Sequence, residues 1–269
     1  MKLGLAYNVF DGEELLGYSI SQIRELVDFV AIVYQTTSNY GNKNPKLLET
    51  LNKLKAEGLI DMLFEYEPTL EYDEDNNIKV LNGTPNELEK RNIGLKICKA
   101  NGCDTFMTID CDELYKKEEF KKAKEEFERG GYDTSFCKME HYYKLPTMQL
   151  YPPQEYYCPL FYKIKKDTLF TKDLWWDKTY PVHIDRTRRI VAGYPRVFTR
   201  EEIQMHHFAY VRKDLSIKLQ NTSAQMDKGS QKEILYHYNS WKGKESGALL
   251  LSEQRYRLKE VDNYFNIEL

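Results

Sequence analysis

Two periods of apolar and polar residues alternate over the first hundred positions. Leu3-Gly-Leu-Ala-Tyr7 is a short unbroken apolar run and reads as a buried strand. Asp11-Gly-Glu-Glu14 follows as an Asx-type N-cap with a carboxylate at N3. Leu16, Ile20, Ile23 and Val27 then share one helical face. Phe29 to Tyr34 is a second apolar strand. Asn44-Pro45 reads as a cap with proline at N1, Leu47, Leu51 and Leu54 carry the next helix, and Gly58 ends it. Ile60 to Phe64 is a third strand. Thr84-Pro-Asn-Glu87 has the form of a capping box, with Leu88, Ile93, Ile97 and Ala100 facing inward behind it until Asn101-Gly102. Asp104 to Asp110 is a fourth strand, apolar on both faces as in a central parallel sheet.

This rhythm predicts an α/β fold with a Rossmann-like open sheet. Ligands of such sheets bind beyond the carboxyl ends of the strands. Three polar clusters occupy those ends: Asn8 to Glu14, Gln35 to Asn42, and Asp110 to Glu113. Past residue 115 the pattern loosens. Lys116 to Arg129 is a charged helix with Phe120, Ala123 and Phe127 inward, and Tyr132 to Tyr143 is a strand. Residues 144–200 read as irregular, 212–260 as further helical segments, and Val261 to Leu269 as a tail packed back as a strand.

Composition narrows the function. With 39 basic and 42 acidic residues the net charge is −3 over 269 residues, which argues against a strongly basic nucleic-acid binder. Mean hydropathy is −0.67 and no apolar run approaches the roughly 18 residues of a membrane span. Met1 to Tyr7 carry no secretory h-region. Cys98, Cys103, Cys111, Cys137 and Cys158 are odd in number and form no CxxC pair, which predicts a reducing, cytoplasmic setting. The excess lies in the aromatics, with 21 Tyr, 12 Phe and 3 Trp; tyrosine's apolar body and polar tip suit amphipathic cleft walls.

Asp110-Cys111-Asp112 is the sharpest chemical feature. Alternation on an extended segment would point both carboxylates to one side, with Cys111 a small spacer. Two such oxygens suit Mg²⁺ or Mn²⁺, which also takes water and substrate phosphate and neutralises a departing diphosphate. An ordinary surface Asp pair is the plain alternative, and the position at a strand's binding edge weighs against it.

The stretch from Glu89-Lys-Arg-Asn through Ala100-Asn-Gly102 to Asp110-Cys-Asp-Glu113 resembles GT-A fold glycosyltransferases, in particular family-2-like enzymes of the small bacterial and phage type. Ala6-Tyr-Asn-Val-Phe-Asp-Gly-Glu-Glu14 resembles their opening strand and turn, and Met205-His-His-Phe-Ala-Tyr-Val-Arg212 their late segment. The resemblance implies a mixed, mainly parallel GT-A sheet flanked by helices, with an irregular acceptor-side half and C-terminal helices. All of this would form one domain: a nucleotide-sugar-binding half (1–115), an acceptor half (116–211) and a C-terminal helical extension (212–269). The activity implied is metal-dependent glycosyl transfer, inverting, from a nucleotide sugar (UDP- or GDP-linked first) to a hydroxyl of a glycan or other acceptor. Tyr7, Asn8, Gln35, Arg91 and Asp110 would meet the donor, and Asp110 and Asp112 the Mn²⁺ or Mg²⁺. The family usually has an acidic residue after the second strand; here Gln35-Thr-Thr-Ser-Asn39 stands instead.

His206 and His207 fall on opposite faces of an extended segment, so one at most faces the metal. The family pattern favours His207, against a histidine satisfied in the core. Glu140, Asp177 and Asp185 are candidate bases for the acceptor hydroxyl. Asp185 is the preferred base, although simple pairing with Arg186, Arg188 and Arg189 explains it better, and Arg186 and Arg188 could meet the donor diphosphate. Trp175, Trp176 and Tyr157 suit stacking on an acceptor sugar, or core packing. A sugar nucleotidyltransferase and a non-catalytic binding module are the alternatives. The first lacks a Gly-rich phosphate loop after the first strand, where only Gly12 occurs between residues 6 and 14.

Overall fold

A computed structural model describes residues 1–72, 74–75, 83–171, 185–190, 193–222, 228–241, 249–251 and 254–269. Strands β1 (Leu3–Val9), β2 (Phe29–Tyr34), β3 (Met62–Glu65) and β4 (Thr105–Asp110) pair in parallel in the order β3-β2-β1-β4. Every residue of β1 is buried, which is why its sequence does not alternate.

The connecting helices are α1 (Glu13–Ile23), α2 (Leu47–Ala56) and α3 (Thr84–Ala100), and none starts with the cap expected of it. The N-cap of α1 is Gly12, not Asp11, in the left-handed region at φ +82° and with no side-chain cap. A Cβ there would lie 2.1 Å from Arg212 Nη1, so this turn is shaped to seat a guanidinium. Helix α2 begins at Leu47 because Asn44 donates to the Phe10 carbonyl at 2.8 Å and ties the loop to the sheet. Helix α3 has Gly83 at its N-cap, and Glu87 turns away toward Asn8 and Asn39.

The buried face of α3 also differs from expectation. Asn86, Lys90, Arg91, Gly94, Leu95 and Cys98 are buried, whereas Ile93 and Ile97 are half-buried and Ala100 is exposed. Its N-terminal turns present polar side chains to the sheet edge. Gly94 permits the contact, since a Cβ there would lie 2.6 Å from Ala6 Cβ.

After β5 (Glu113–Leu114), helix α4 (Lys117–Gly130) buries Phe120, Ala123 and Phe127 and ends on Gly131 at φ +64°. β6 (Thr134–Tyr143) follows. Residues 144–200, expected to be irregular, contain β7 (Leu145–Tyr151), β8 (Tyr157–Lys163) and β9 (Pro195–Val197). β8 lies antiparallel between β4 and β6 and extends the sheet past its parallel half. β10 (Gln204–Tyr210) runs parallel to β6 and antiparallel to β5.

Helices α5 (Leu215–Asn221) and α6 (Lys228–Ser240) follow as expected, but the chain then returns to strand. β11 (Leu249–Leu251) and β12 (Gln254–Glu260) form an antiparallel pair, and β12 joins β7. The tail is no strand; Phe265 and Ile267 instead bury against Leu15, Leu114, Tyr142 and Phe208. The result is one mixed α/β sheet, β11-β12-β7-β6-β8-β4-β1-β2-β3, flanked by helices, as the fold class anticipated.

Candidate active site

Parallel register aligns the strand ends. Asn8 of β1 pairs with Val33 and with Asp110, so Asn8, Gln35 and Asp110 leave the sheet at one edge. β10 sets His207 opposite both Glu113 of β5 and His141 of β6. That pairing brings His207 over Asp112, with Nε2 3.7 Å from Oδ1. Its neighbour His206 faces the other way, into the core, where Nδ1 meets the Tyr142 hydroxyl at 2.8 Å.

The two aspartates do not act as a parallel pair. β4 ends at Asp110 and a turn precedes β5, so alternation does not carry through to Asp112. Asp110 is about one-third exposed and lies between Arg91 Nη2 (3.3 Å) and Arg188 Nη2 (2.7 Å). Asp112 is buried, and its Oδ2 accepts from Arg212 Nη2 at 2.6 Å and Lys218 Nζ at 2.8 Å. Burial would raise both carboxyls, but these cations outweigh it and hold both below the usual carboxylate range. Glu113 beside them is pushed up to about 7 by burial, against the pull of Arg188. Cys111 is buried with its thiol pushed up by desolvation, the behaviour of a spacer and not a nucleophile.

The expected ligand trio of Asp110, Asp112 and His207 is therefore not gathered. Among the described residues no group of three or more His, Cys, Asp or Glu is placed to hold a metal. Two donors do fit one. Both cations on Asp112 sit on Oδ2, while Oδ1 faces an imidazole nitrogen. Mg²⁺ and Mn²⁺ need few protein ligands when water and phosphate complete the sphere.

Two clefts open at this edge. The smaller, about 100 Å³, is polar and includes Asn8, Gln35, Asn39, Glu87 and Lys90 in its wall. The larger, about 370 Å³, is walled by Met139, Leu150, Tyr156, Tyr210 and Leu219 with Asp185, Arg188 and His141. They share Asp110, Asp112, Lys218 and Thr222.

No family model matches the sequence, and no curated protein matches it. Solved structures do. The chain is similar to S. aureus TarS 1-349, with a TM-score of 0.49 and 12% identity over 89% of this chain and 71% of that one. TarS 1-349 in complex with UDP-GlcNAc gives 0.37 and 14%, over 52% and 35%. Glucosyl-3-phosphoglycerate synthase from Mycobacterium tuberculosis, in complex with Mn²⁺, UDP and phosphoglyceric acid, gives 0.33 and 11%, over 52% and 43%. The chain thus spans less than half the length of two of these three structures.

Several expected residues lie elsewhere. Tyr7 is fully buried, with its hydroxyl 2.9 Å from Ser19 Oγ, and does not line either cleft. Arg91 is spent within the protein: Nε donates to Thr187, Nη1 to Thr108 and Nη2 to Asp110, so it positions Asp110. Tyr157 carries the Lys138 ammonium over its ring, while Tyr156 takes the place in the larger cleft. Asp185 reaches that cleft, but its Oδ1 caps a short 3-10 turn through Thr187 N and Oγ1. Its Oδ2 lies 3.4 Å from Arg188 Nε. Glu140 pairs with Arg200 away from both clefts. Trp175, Trp176 and Asp177 lie outside the described residues.

The sequence reading missed Glu87, Lys90, His141, Arg212 and Lys218. Glu87, Lys90 and Arg91 did carry a signal, a charged stripe at spacings of three and four on a helix otherwise assumed to face apolar core. Arg212 stood at the end of the family-like segment Met205 to Arg212 with no role assigned, and Lys218 carried no signal, because only the fold brings them to Asp112.

Proposed function

We propose that the protein is a glycosyltransferase that moves a sugar from a nucleoside-diphosphate donor to an acceptor hydroxyl. The observation that carries this reading is the meeting of two unlike clefts at one pair of aspartates. A polar cleft at the carboxyl ends of parallel strands suits a nucleotide. A wider, part-aromatic cleft suits a second substrate whose sugar faces pack on Tyr156 and Tyr210. Group transfer requires both substrates to reach one point.

The chemistry follows from the charges at that point. Asn8, Gln35 and Asp110 bind the nucleoside, and Lys218, the most accessible of the cations on Asp112, meets the diphosphate. The acceptor oxygen attacks the anomeric carbon as the carbon–oxygen bond to the diphosphate breaks. The hydroxyl proton passes to Asp185, a carboxylate of the larger cleft about one-third exposed, and single displacement inverts the centre. Arg188 and Arg212 act by holding Asp110 and Asp112 in place.

A divalent Mn²⁺ or Mg²⁺ is part of this reading, held by Asp112 and His207 with Asp110 adjacent. When bound it supplies positive charge to the departing diphosphate. Arg212 and Lys218 both occupy Oδ2 of Asp112, so Oδ1 is the oxygen that would be left to hold a metal. Among the described residues no helix is long and apolar enough to cross a membrane. The odd number of cysteines and the lack of a CxxC pair support a reducing, cytoplasmic setting.

A thermal-shift panel of UDP-, GDP-, CMP- and dTDP-sugars, each with and without Mn²⁺, tests the proposal. Stabilisation by a nucleotide sugar, strengthened by metal and lost in Asp112→Ala, is expected. No shift with any of them rejects it. Release of free nucleotide only in the presence of acceptor separates transfer from mere binding.

A further inference from the structure

The polar cleft contains a carboxylate that sets the direction of three amides. Glu87 can only accept hydrogen bonds. Its Oε2 accepts from Asn8 Nδ2 at 3.3 Å, and its Oε1 accepts from Asn39 Nδ2 at 3.2 Å. Lys90 Nζ, buried 2.8 Å away, neutralises it without taking an acceptor from the cleft. Because Asn39 must turn its NH₂ to Glu87, its Oδ1 faces Gln35. Gln35 must therefore turn its own NH₂ to Asn39, at 3.2 Å. An amide's oxygen and nitrogen are told apart by such partners, and here every choice leads back to Glu87.

The consequence falls on two oxygens. Asn8 Oδ1 and Gln35 Oε1 are buried in residues 7% and 1% exposed, and neither has a hydrogen-bond partner. Both residues line the polar cleft. A buried acceptor without a donor is costly, so the site is poised for a ligand that supplies N–H groups and not carbonyls.

We propose that Glu87 is a specificity-determining residue which, through this amide relay, makes the cleft read a nucleobase edge bearing two adjacent N–H donors, the edge of guanine. Guanine offers N1–H and the 2-amino group side by side. Uracil offers one N–H flanked by carbonyls, which would face the two amide oxygens unfavourably. Adenine and cytosine each offer one amino group beside a bare ring nitrogen. This inference rests on the donor-binding reading above and narrows it to GDP-linked sugars.

The test is a calorimetric titration of the full chain with GDP, IDP, UDP, CDP and ADP. IDP keeps N1–H and lacks the 2-amino group. GDP is expected to bind about tenfold or more tightly than each of the others, the effect of leaving one buried acceptor unpaired. Glu87→Gln lets Asn39, and through it Gln35, rotate, while the Glu87 backbone carbonyl still accepts from Asn8 Nδ2, and it should bring GDP and UDP to within about threefold of each other. If circular dichroism shows that variant unfolded, Asn39→Ala, which frees only Gln35, reads the same relay and should also narrow the ratio. Equal binding of all five would mean that ribose hydroxyls, common to them all, meet the oxygens; it overturns the inference and leaves the donor reading intact. A UDP preference, or a GDP preference unchanged in both folded variants, likewise overturns it. No binding of any nucleotide rejects the donor reading itself.

Discussion

The two halves of the sheet are built on different plans, and the site lies on their seam. Residues 3–114 fold as successive strands and helices, and the parallel register of β1, β2 and β4 delivers Asn8, Gln35 and Asp110 to one edge. The second half is stitched from distant segments: β8 enters beside β4, β10 returns to β5 and β6, and β12 closes on β7. The first half supplies anions and amides, with Lys90 and Arg91 beside them. From the second come the counter-charges Arg188, Arg212 and Lys218 and the imidazole of His207. Asp112 is where they lock together, so the candidate site and the long-range assembly share the same ion pairs.

Breaking that lock should give the largest effect. Asp112→Asn is expected to lower transfer about a hundredfold or more, by loss of charge organisation at the reacting point. It also takes the nearest counter-charge from Lys218 and from Arg212, which keeps only Glu14 at 3.7 Å, at a cost of about 3 kcal/mol in urea unfolding. Wild-type stability would show that the halves are not joined there.

Phe265→Ala tests the stitching away from the charges. Phe265 packs edge-on to Phe208 of β10 and buries against Leu15 and Leu114 of the first half. Its removal should cost about 3 kcal/mol while leaving nucleotide affinity intact. Gly12→Ala approaches the lock from the first half, adding strain at φ +82° and a methyl group in the place of the Arg212 guanidinium. About 2 kcal/mol of lost stability is expected, with weakened donor binding that Phe265→Ala does not share.

Per pH unit, the smallest effect is in acid. Burial lowers His206 from 6.5 to about 3, so between those values the unfolded chain holds a proton that the folded chain refuses. Stability present above pH 6.5 is lost as pH falls toward 3, by about 1 kcal/mol per pH unit from this residue. Urea midpoints of the wild type and His206→Gln, measured from pH 7 to 4 with chelator, should diverge in slope. Equal slopes would place His206 in contact with water.

The same division governs what the sequence could reveal. Local periodicity located β1, β2, β4, α1, α2 and α4 because their burial follows from neighbours three or four residues away, or from a continuous run. It failed on β7, β8 and β12: β7 pairs with its neighbour β6 but also carries the distant β12, and β8 joins β6 to the distant β4. The capping residues misled for a related reason: Asp11, Asn44 and Thr84 are good local caps, but tertiary contacts with Arg212 and Phe10, and the turning of Glu87 toward Asn8, shape those turns. Asp110, Asp112, Asn8 and Gln35 were legible from strand ends. Tyr7 was misplaced because a residue one position from the edge on a doubly covered strand points into core.

The seam at Asp112 is proposed to bind a nucleotide-sugar donor. The most direct test is an equilibrium titration of the wild-type protein and Asp112→Asn with UDP- and GDP-sugars in the presence of Mn²⁺. Saturable one-to-one binding of a donor by the wild type, weakened at least about tenfold in the variant, is the predicted result. Absence of binding by the wild type, or equal affinity in the two proteins, would contradict it.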